Sequence, residues 1–265
     1  MRKKIRLLNF IALLSIVLVS FGCAKASKNV GTPQSVTPSI TTTPAAVTPT
    51  PLVITTTPPG VVLAIVPPME LKNLEKNALR VIMDADSRSW KDGKKRYKLM
   101  KNEVSALAPK LTKAGVNADI VNNITSLVNK LDTYITSKAS YETKLNANEL
   151  TRYIADSMVV FKGTVPPDII RLDYYLRYIQ YSLEKSDWTN ALNYGNLAST
   201  MWKNLKVQIT ANSKIINKMD KAMSALDISI KSKNKTTTLK DTRKCLLASG
   251  LITKYFDAKP KAKRP

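Results

Sequence analysis

From about residue 67 onward, apolar residues recur at intervals of three or four positions, which is the period of an amphipathic α-helix. Short polar turns separate these periodic segments, and short connections favour antiparallel packing of neighbouring helices. The composition agrees with this reading, because the chain has only eight Gly and four Phe and is rich in Ala, Leu, Lys and Asn. The pattern therefore predicts an all-α fold.

The helical pattern occurs twice along the chain, which indicates an internal duplication. Each copy begins with a Pro-Pro pair, Pro67-Pro68 or Pro166-Pro167, and an acidic residue follows in the first helical turn. At an offset of 98 residues the first apolar stripe matches the second one: Leu71, Leu74, Ala78, Val81 and Ala85 correspond to Ile169, Leu172, Leu176, Ile179 and Leu183. The third and fourth helices match at an offset of 95, as Phe161 and Phe256 do.

The three-residue change in offset has a local cause in the loops. The first copy has a loop at 113–117 with Gly115 as the expected helix C-cap, and the second copy has a shorter polar turn at 211–213. Gly163 is expected to close the fourth helix. We predict two tandem antiparallel four-helix bundles, or one fused array of eight helices. The first repeat is assigned to 69–163, the second to 164–257 and a basic tail to 258–265.

The N-terminus has the pattern of an export signal. Four basic residues among the first six precede an apolar stretch at 7–21, which is short for a spanning helix and fits a signal peptide. The end of this stretch, Ser20-Phe21-Gly22-Cys23, resembles the lipobox of bacterial lipoproteins at Gly22 and Cys23, whereas Ser20 and Phe21 depart from the usual pattern.

The lipobox resemblance implies that 1–22 is removed and that Cys23 carries a diacylglyceryl group with palmitate. Two acyl chains hold a soluble domain at a membrane stably. We therefore expect a lipid-anchored protein on the outer face of the cell membrane. A simple cleaved signal and an uncleaved anchor remain alternatives.

The segment 23–68 is predicted to be a disordered linker. It has no charged residue from Asn29 to Met69, and this stretch contains nine of the 14 prolines of the chain. Such a Pro/Thr-rich sequence favours extended polyproline-II conformations, with a reach of about 100 Å at roughly 3.1 Å per residue. Its threonines could accept O-glycans. An apolar patch at 61–66 is an exception and is expected to dock on the folded domain.

Composition and motifs argue against several activities. The chain has no histidine, which removes the commonest general base and transition-metal ligand. There is no Gly-rich phosphate loop and no Cys-His pair, so we predict no enzyme, no cofactor and no metal; a spatial pair of carboxylates remains a minor alternative. Besides Cys23 the only cysteine is Cys245, which lies in an apolar run and is interpreted as a small buried hydrophobe.

The charge balance indicates which partners are available. The formal net charge is +23, and from Glu70 onward there are 36 basic and 19 acidic residues. Such a field attracts polyanions. For an exported protein, nucleic acid is not expected, and an anionic envelope polymer, lipid headgroups or a protein partner are the candidates. The alternative is that the lysines are only solvated helix faces.

The first helix of the second copy carries the candidate ligand or partner face. At 100° per residue, three tyrosines and two flanking arginines fall opposite its core stripe: Arg171, Tyr174, Arg177, Tyr178 and Tyr181. The face suits a sugar, an anionic group or a partner. The alternative is a helix buried on both sides between the bundles. Asp173 and Arg177, spaced i, i+4, are expected to pair with each other.

Two further resemblances concern layout only. The segment 183–191 resembles the turn of a tetratricopeptide hairpin, and we interpret Trp90 and Trp188 as core residues at equivalent corners, with a ligand shelf as the alternative. The two-bundle layout also resembles that of imelysin-like proteins, whose histidine-containing metal motif has no counterpart here. The sequence thus predicts a non-enzymatic, surface-tethered lipoprotein with a basic helical interaction module. The alternative is a binding protein for an anionic or sugar-like ligand between the bundles.

Overall fold

The structure is a computed structural model that describes residues 66–163, 165–209 and 213–258. This part of the chain forms eight α-helices: α1 (Met69–Asp86), α2 (Trp90–Lys113), α3 (Ala118–Thr136), α4 (Ser140–Met158), α5 (Asp168–Glu184), α6 (Trp188–Lys206), α7 (Ser213–Lys231) and α8 (Lys235–Ala258). The predicted all-α fold is confirmed. None of these eight helices is both long and apolar enough to cross a membrane.

The helices form two antiparallel four-helix bundles in tandem. In the first bundle, α1 contacts α2 and α4, and α3 closes the ring by contacting the same two helices. In the second bundle, α5 contacts α6 and α8, and α7 contacts the same two. The bundles meet where α4 packs against α5, and both belong to one compact unit. This confirms the predicted tandem bundles.

Each bundle has its own core, built from the predicted stripes. Leu71, Leu74 and Leu131 lie in the first core, and Leu172 and Leu176 lie in the second; all are fully buried. Trp90 and Trp188 are half-buried and pack against the edges of these cores. Cys245 is buried as predicted, and burial raises the pKa of its thiol to about 12, which keeps it protonated.

The turns between helices repeat as well. Positive φ angles at non-glycine residues occur at Arg88 and Ser186, which are equivalent in the two copies, and at Lys138 and Lys233, which are also equivalent. Each ends a helix in the left-handed conformation, so a helical hairpin of the same geometry occurs twice. The predicted C-cap Gly115 has a φ of 81° and lies in the loop between α2 and α3.

The expected helix end at Gly163 is wrong. α4 already ends at Met158, because the chain turns at Val159–Val160 and brings Phe161 into the core of the first bundle. Gly163 lies beyond this turn and has no positive φ. The predicted turn at 211–213 falls mostly outside the described residues, and only Ser213 is described, as the first residue of α7.

Candidate functional site at the bundle junction

The five residues predicted as a ligand or partner face all lie on α5, which is buried between neighbours on both sides. α5 contacts α4 of the first bundle and α6 and α8 of its own bundle. Tyr174, Tyr178 and Tyr181 are 6%, 9% and 3% exposed, and the side chains of Arg171 and Arg177 are largely covered. The face is therefore internal in this structure. This agrees with the alternative interpretation, a helix buried on both sides between the bundles.

The tyrosines form an aromatic cluster that includes a residue of α6. The Tyr178 and Tyr194 rings stack with centroids 4.4 Å apart, and Tyr174 meets Tyr178 edge-on at 4.9 Å. Tyr175 lies edge-on to Tyr174 at 5.2 Å. Stacked and edge-to-face pairs are both favourable arrangements of aromatic rings. The cluster thus packs α5 against α6, and the hydroxyls of Tyr174 and Tyr178 reach α4.

Glu149 of α4 accepts hydrogen bonds from two of these phenols. The Tyr174 hydroxyl donates to Glu149 Oε2 at 2.7 Å, and the Tyr178 hydroxyl donates to the same oxygen at 3.4 Å. Burial and the nearby Glu149 carboxylate raise the pKa of both phenols, so both stay neutral and act as donors. This geometry ties the aromatic cluster of the second bundle to the first bundle.

Beside the tyrosines, acidic and basic side chains alternate across the junction. Arg171 of α5 contacts Asp156 of α4 at 2.8 Å and Asp168 at 2.6 Å, and Arg152 lies between Asp156 and Glu149. Burial alone would lower the pKa of Arg171, but Asp156 and Asp168 outweigh it and raise the pKa. The network holds these guanidinium groups in partly buried, hydrogen-bonded positions.

A second polar group lies one turn further along α5. The predicted pair forms, with Arg177 Nη2 3.5 Å from Asp173 Oδ2, and Arg177 also donates to Asn148 of α4. Burial raises the pKa of Asp173, opposed by Arg177 and, at longer range, by the Ser249 hydroxyl of α8. Burial also raises the pKa of Glu75 on α1 to about 7, and the same Arg177 opposes this shift. Glu75 and Asp173 occupy equivalent positions in the two copies, and the positive charge of Arg177 acts on both carboxyl groups.

Lys144 of α4 closes the junction at the other end of α5. Its ammonium group lies 2.5 Å from Glu184 and 2.9 Å from Asp86, and 5.6 Å from the ring centroid of Tyr181. Burial alone would lower the pKa of Lys144, but the hydrogen bonds to Glu184 and Asp86 outweigh it and raise the pKa. Lys144 is 5% exposed, so this is a charged group held inside the protein by its partners.

The junction residues on α4 were not singled out from the sequence. They are Lys144, Asn148, Glu149, Arg152 and Asp156, and each contacts α5 or a partner of α5. Polar residues at helical spacing usually mark a solvated face, and this is why they carried no signal. A comparison of the two copies does give a signal, because α8 has leucines where α4 has Lys144, Arg152 and Asp156. These are Leu239, Leu247 and Leu251.

The junction is a closed packing surface rather than an open cleft. Its aromatic rings and charged side chains contact each other, and most of their polar atoms have a hydrogen-bond or ion-pair partner within the junction. Among the described residues, exceptions are Asp173 Oδ1, the Tyr181 hydroxyl and the Ser249 hydroxyl, which have no partner within hydrogen-bonding distance. The described residues contain no cluster of three or more acidic, cysteine or histidine side chains that could hold a metal ion. Cys23 and the predicted linker up to residue 65 lie outside the described residues.

Unpaired positive charge lies away from the junction. α2 contains eight basic and two acidic residues. Within the described ranges, Lys91, Lys98 and Lys101 of α2 form no ion pair, nor do Lys214, Lys218 and Lys221 of α7 or Lys240, Arg243 and Lys254 of α8. All nine side chains are exposed. The outer helices α2, α7 and α8 together carry 17 basic and six acidic residues, whereas α4 and α5 carry four basic and six acidic ones.

No protein-family model, curated protein or solved structure is similar enough to this chain to be matched with it.

Proposed function

We propose that this chain is a non-enzymatic surface lipoprotein that presents a basic helical module to an anionic envelope polymer or a protein partner. In this proposal the diacylated Cys23 anchors it on the outer face of the cell membrane, and 23–68 is the spacer. The observation that carries the proposal is the large number of basic residues that form no ion pair. Of the 32 basic residues in the described ranges, 11 form ion pairs with acidic residues there, and the others remain available.

The location of the acidic residues supports the same proposal. The acidic side chains Glu149, Asp156 and Asp173 are held in the junction by arginines, so they contribute little negative field at the surface. The outer helices α2, α7 and α8 carry their cations on exposed faces. A field of this kind attracts polyanions and raises their local concentration.

The anchor is tested on the full chain expressed in a bacterium. Mass spectrometry of the mature protein should find an N-terminal Cys23 with a diacylglyceryl group. Replacing it, Cys23→Ser, should release the protein from the membrane fraction. An unmodified N-terminus, or one that starts elsewhere, would remove this part of the proposal.

The interaction is tested with isolated envelopes from which lipids have been extracted. The full chain should cosediment with them, and its affinity should fall by about tenfold or more from low salt to about 0.5 M salt, because exposed charges are screened. Replacing Lys91, Lys98 and Lys101 by Gln should weaken this binding without changing the fold. If no component of the envelope retains the protein at low salt, the interaction module is wrong.

The alternative function is a binding protein for an anionic or sugar-like ligand at the aromatic and arginine face of α5. The unpartnered Asp173 Oδ1 and Tyr181 hydroxyl are the observations that favour it. It requires α4 and α5 to separate, because Tyr181 and the Oδ1 atom of Asp173 are buried. Hydrogen exchange distinguishes the two functions, since such a ligand would change the protection of α4 and α5 amides, whereas a polymer on the outer helices would not.

A further inference from the structure

α4 and α8 occupy the same place in their bundles. At an offset of 95 residues, the buried positions of α4 correspond to buried positions of α8: Thr143, Asn146, Ala147, Leu150 and Ile154 correspond to Thr238, Asp241, Thr242, Cys245 and Ser249. Each helix therefore directs the same stripe into its own core. A face of α4 outside this stripe packs against α5, the first helix of the next bundle.

No helix among the described residues covers the corresponding face of α8. This face consists of Leu239, Arg243, Lys244, Leu247, Gly250 and Leu251, which we call the α8 open face. Leu247 is 71% exposed, Arg243, Lys244 and Gly250 are exposed as well, and both remaining leucines are half-buried. Where α4 carries Lys144, Arg152 and Asp156, α8 thus presents leucines that α5 and α7, the helices in contact with it, leave partly uncovered.

Glycine in this face permits a close approach. A Cβ built on Gly250 would meet no atom of the described residues within 4 Å, and the equivalent residue of α4 is Ala155, which is fully buried. Glycine in a helix interior lowers helix stability relative to alanine. At this position it leaves room for a neighbouring backbone beside the exposed Leu247.

Charge indicates the chemistry of the missing neighbour. Lys240, Arg243 and Lys254 form no ion pair with any described residue, whereas Lys244 pairs with Asp241 of the same helix. A helix that covers the leucines would bring its flanks close to these cations. Acidic flanks are therefore favourable there and basic flanks are unfavourable.

We propose that the α8 open face binds an amphipathic helix of another protein, with an apolar stripe flanked by Asp and Glu. This rests on the proposed function as an interaction module and names its surface and partner class. The same face of α4 already holds a helix, which is why a helix is the expected occupant. A polymer of charged groups would not form apolar contacts with the exposed leucines.

A second copy of the chain fits this face less well. In a head-to-tail dimer, α1 of the second copy would take the place that α5 has beside α4. This face of α1 carries Lys76 and Arg80 around the exposed Met83. Both surfaces are positive, so their approach is unfavourable. Like-charge contacts of this kind disfavour head-to-tail stacking of repeats.

The test uses the full chain and two synthetic peptides. One is an acidic amphipathic helix with Leu at i, i+3, i+4 and i+7 and Glu on both flanks, and the other has the same composition in scrambled order. Fluorescence anisotropy should find the ordered peptide bound at least about tenfold more tightly than the scrambled one, because only the former presents an apolar stripe. The change Leu247→Asp should abolish this difference.

Met83→Asp is the matched control, since Met83 is an exposed aliphatic residue beside Arg80 on the opposite end of the array. It should leave peptide binding unchanged, and circular dichroism should find both variants folded. Equal binding of both peptides, or equal effects of both substitutions, would overturn the proposal. So would self-association that Leu247→Asp abolishes, or binding to anionic phospholipid vesicles that depends on Leu247. If envelope binding persists while the peptide difference is absent, the proposed function stands and this inference falls.

Discussion

α1 and α5 occupy equivalent places in the two copies, yet only α5 has a bundle on its outer side. Their core stripes match position by position and are buried in both helices. Their outer faces differ completely: Lys76, Arg80 and Met83 of α1 correspond to Tyr174, Tyr178 and Tyr181 of α5. The former are exposed and the latter are buried. The core stripe thus follows from the repeat, and the outer face follows from the neighbour.

The same relation holds for α4 and α8. α4 is covered by α5 and uses charged residues there, each held by a partner of opposite charge. α8 has leucines at the equivalent positions, with Leu247 exposed. Each copy therefore has two outer faces, one on its first helix and one on its last. The outer face of α4, the last helix of the first copy, meets that of α5, the first helix of the second, and together they form the junction.

The largest difference between α1 and α5 should appear on truncation of a tyrosine. Tyr178→Ala removes a buried ring that contacts Tyr174 and Tyr194, and it should lower the free energy of unfolding by about 3–5 kcal/mol. The equivalent Arg80→Ala on α1 removes an exposed side chain and should change it by less than about 0.5 kcal/mol. Urea denaturation of both variants measures this. Equal effects would mean that the α5 face is not packed as described.

Stability should depend on pH through the equivalent carboxyls Glu75 and Asp173. Burial raises the pKa of Glu75 to about 7 from its usual 4.5, so between these values the folded state binds more protons than the unfolded state. The free energy of unfolding should therefore fall as the pH rises through this window, by about 1–3 kcal/mol. Asp173, whose pKa burial also raises, contributes with the same sign.

Glu75→Gln should flatten this part of the pH profile and make the protein more stable than the wild type at pH 8. The exposed Glu142 of α4 offers the control, since Glu142→Gln should leave the profile unchanged. Guanidinium denaturation at several pH values measures both. A wild-type profile that rises from pH 5 to pH 7 would contradict the burial of these carboxyls.

A smaller change in stability is expected when Lys144 of α4 is replaced by leucine, the residue at the equivalent position of α8. Lys144→Leu copies Leu239 into the first bundle and removes the ion pairs to Asp86 and Glu184. Both acids are partly exposed, so water compensates part of the loss, and the added apolar contacts offset more. We expect a net loss of about 1 kcal/mol in thermal denaturation. Lys98→Leu on α2, where the lysine is exposed and forms no ion pair with a described residue, should have almost no effect.

Much of this architecture was predictable because it depends on periodicity. The helices, their core stripes and the duplication follow from apolar positions such as Leu71 and Ile169, whatever the helix packs against. The junction was only half predictable. Tyr174 and Tyr178 stood out as aromatic residues on a second face, whereas Glu149 and Arg152 resembled an ordinary solvated face. Which face of α4 is covered depends on its neighbour in space, and helical spacing carries no information about that.

The smallest expected effect concerns Gly250, which corresponds to Ala155 in α4. Gly250→Ala should raise the free energy of unfolding by about 0.5–1 kcal/mol, because the added Cβ meets no atom of the described part of the chain within 4 Å and alanine loses less backbone entropy in a helix. Gly115→Ala should have the opposite sign, because Gly115 has a φ of 81°. The gain at Gly250 should come with weaker binding of the acidic amphipathic peptide, since the methyl group occupies the space beside Leu247. Stabilisation with unchanged peptide binding would mean that this glycine makes no contact with the peptide.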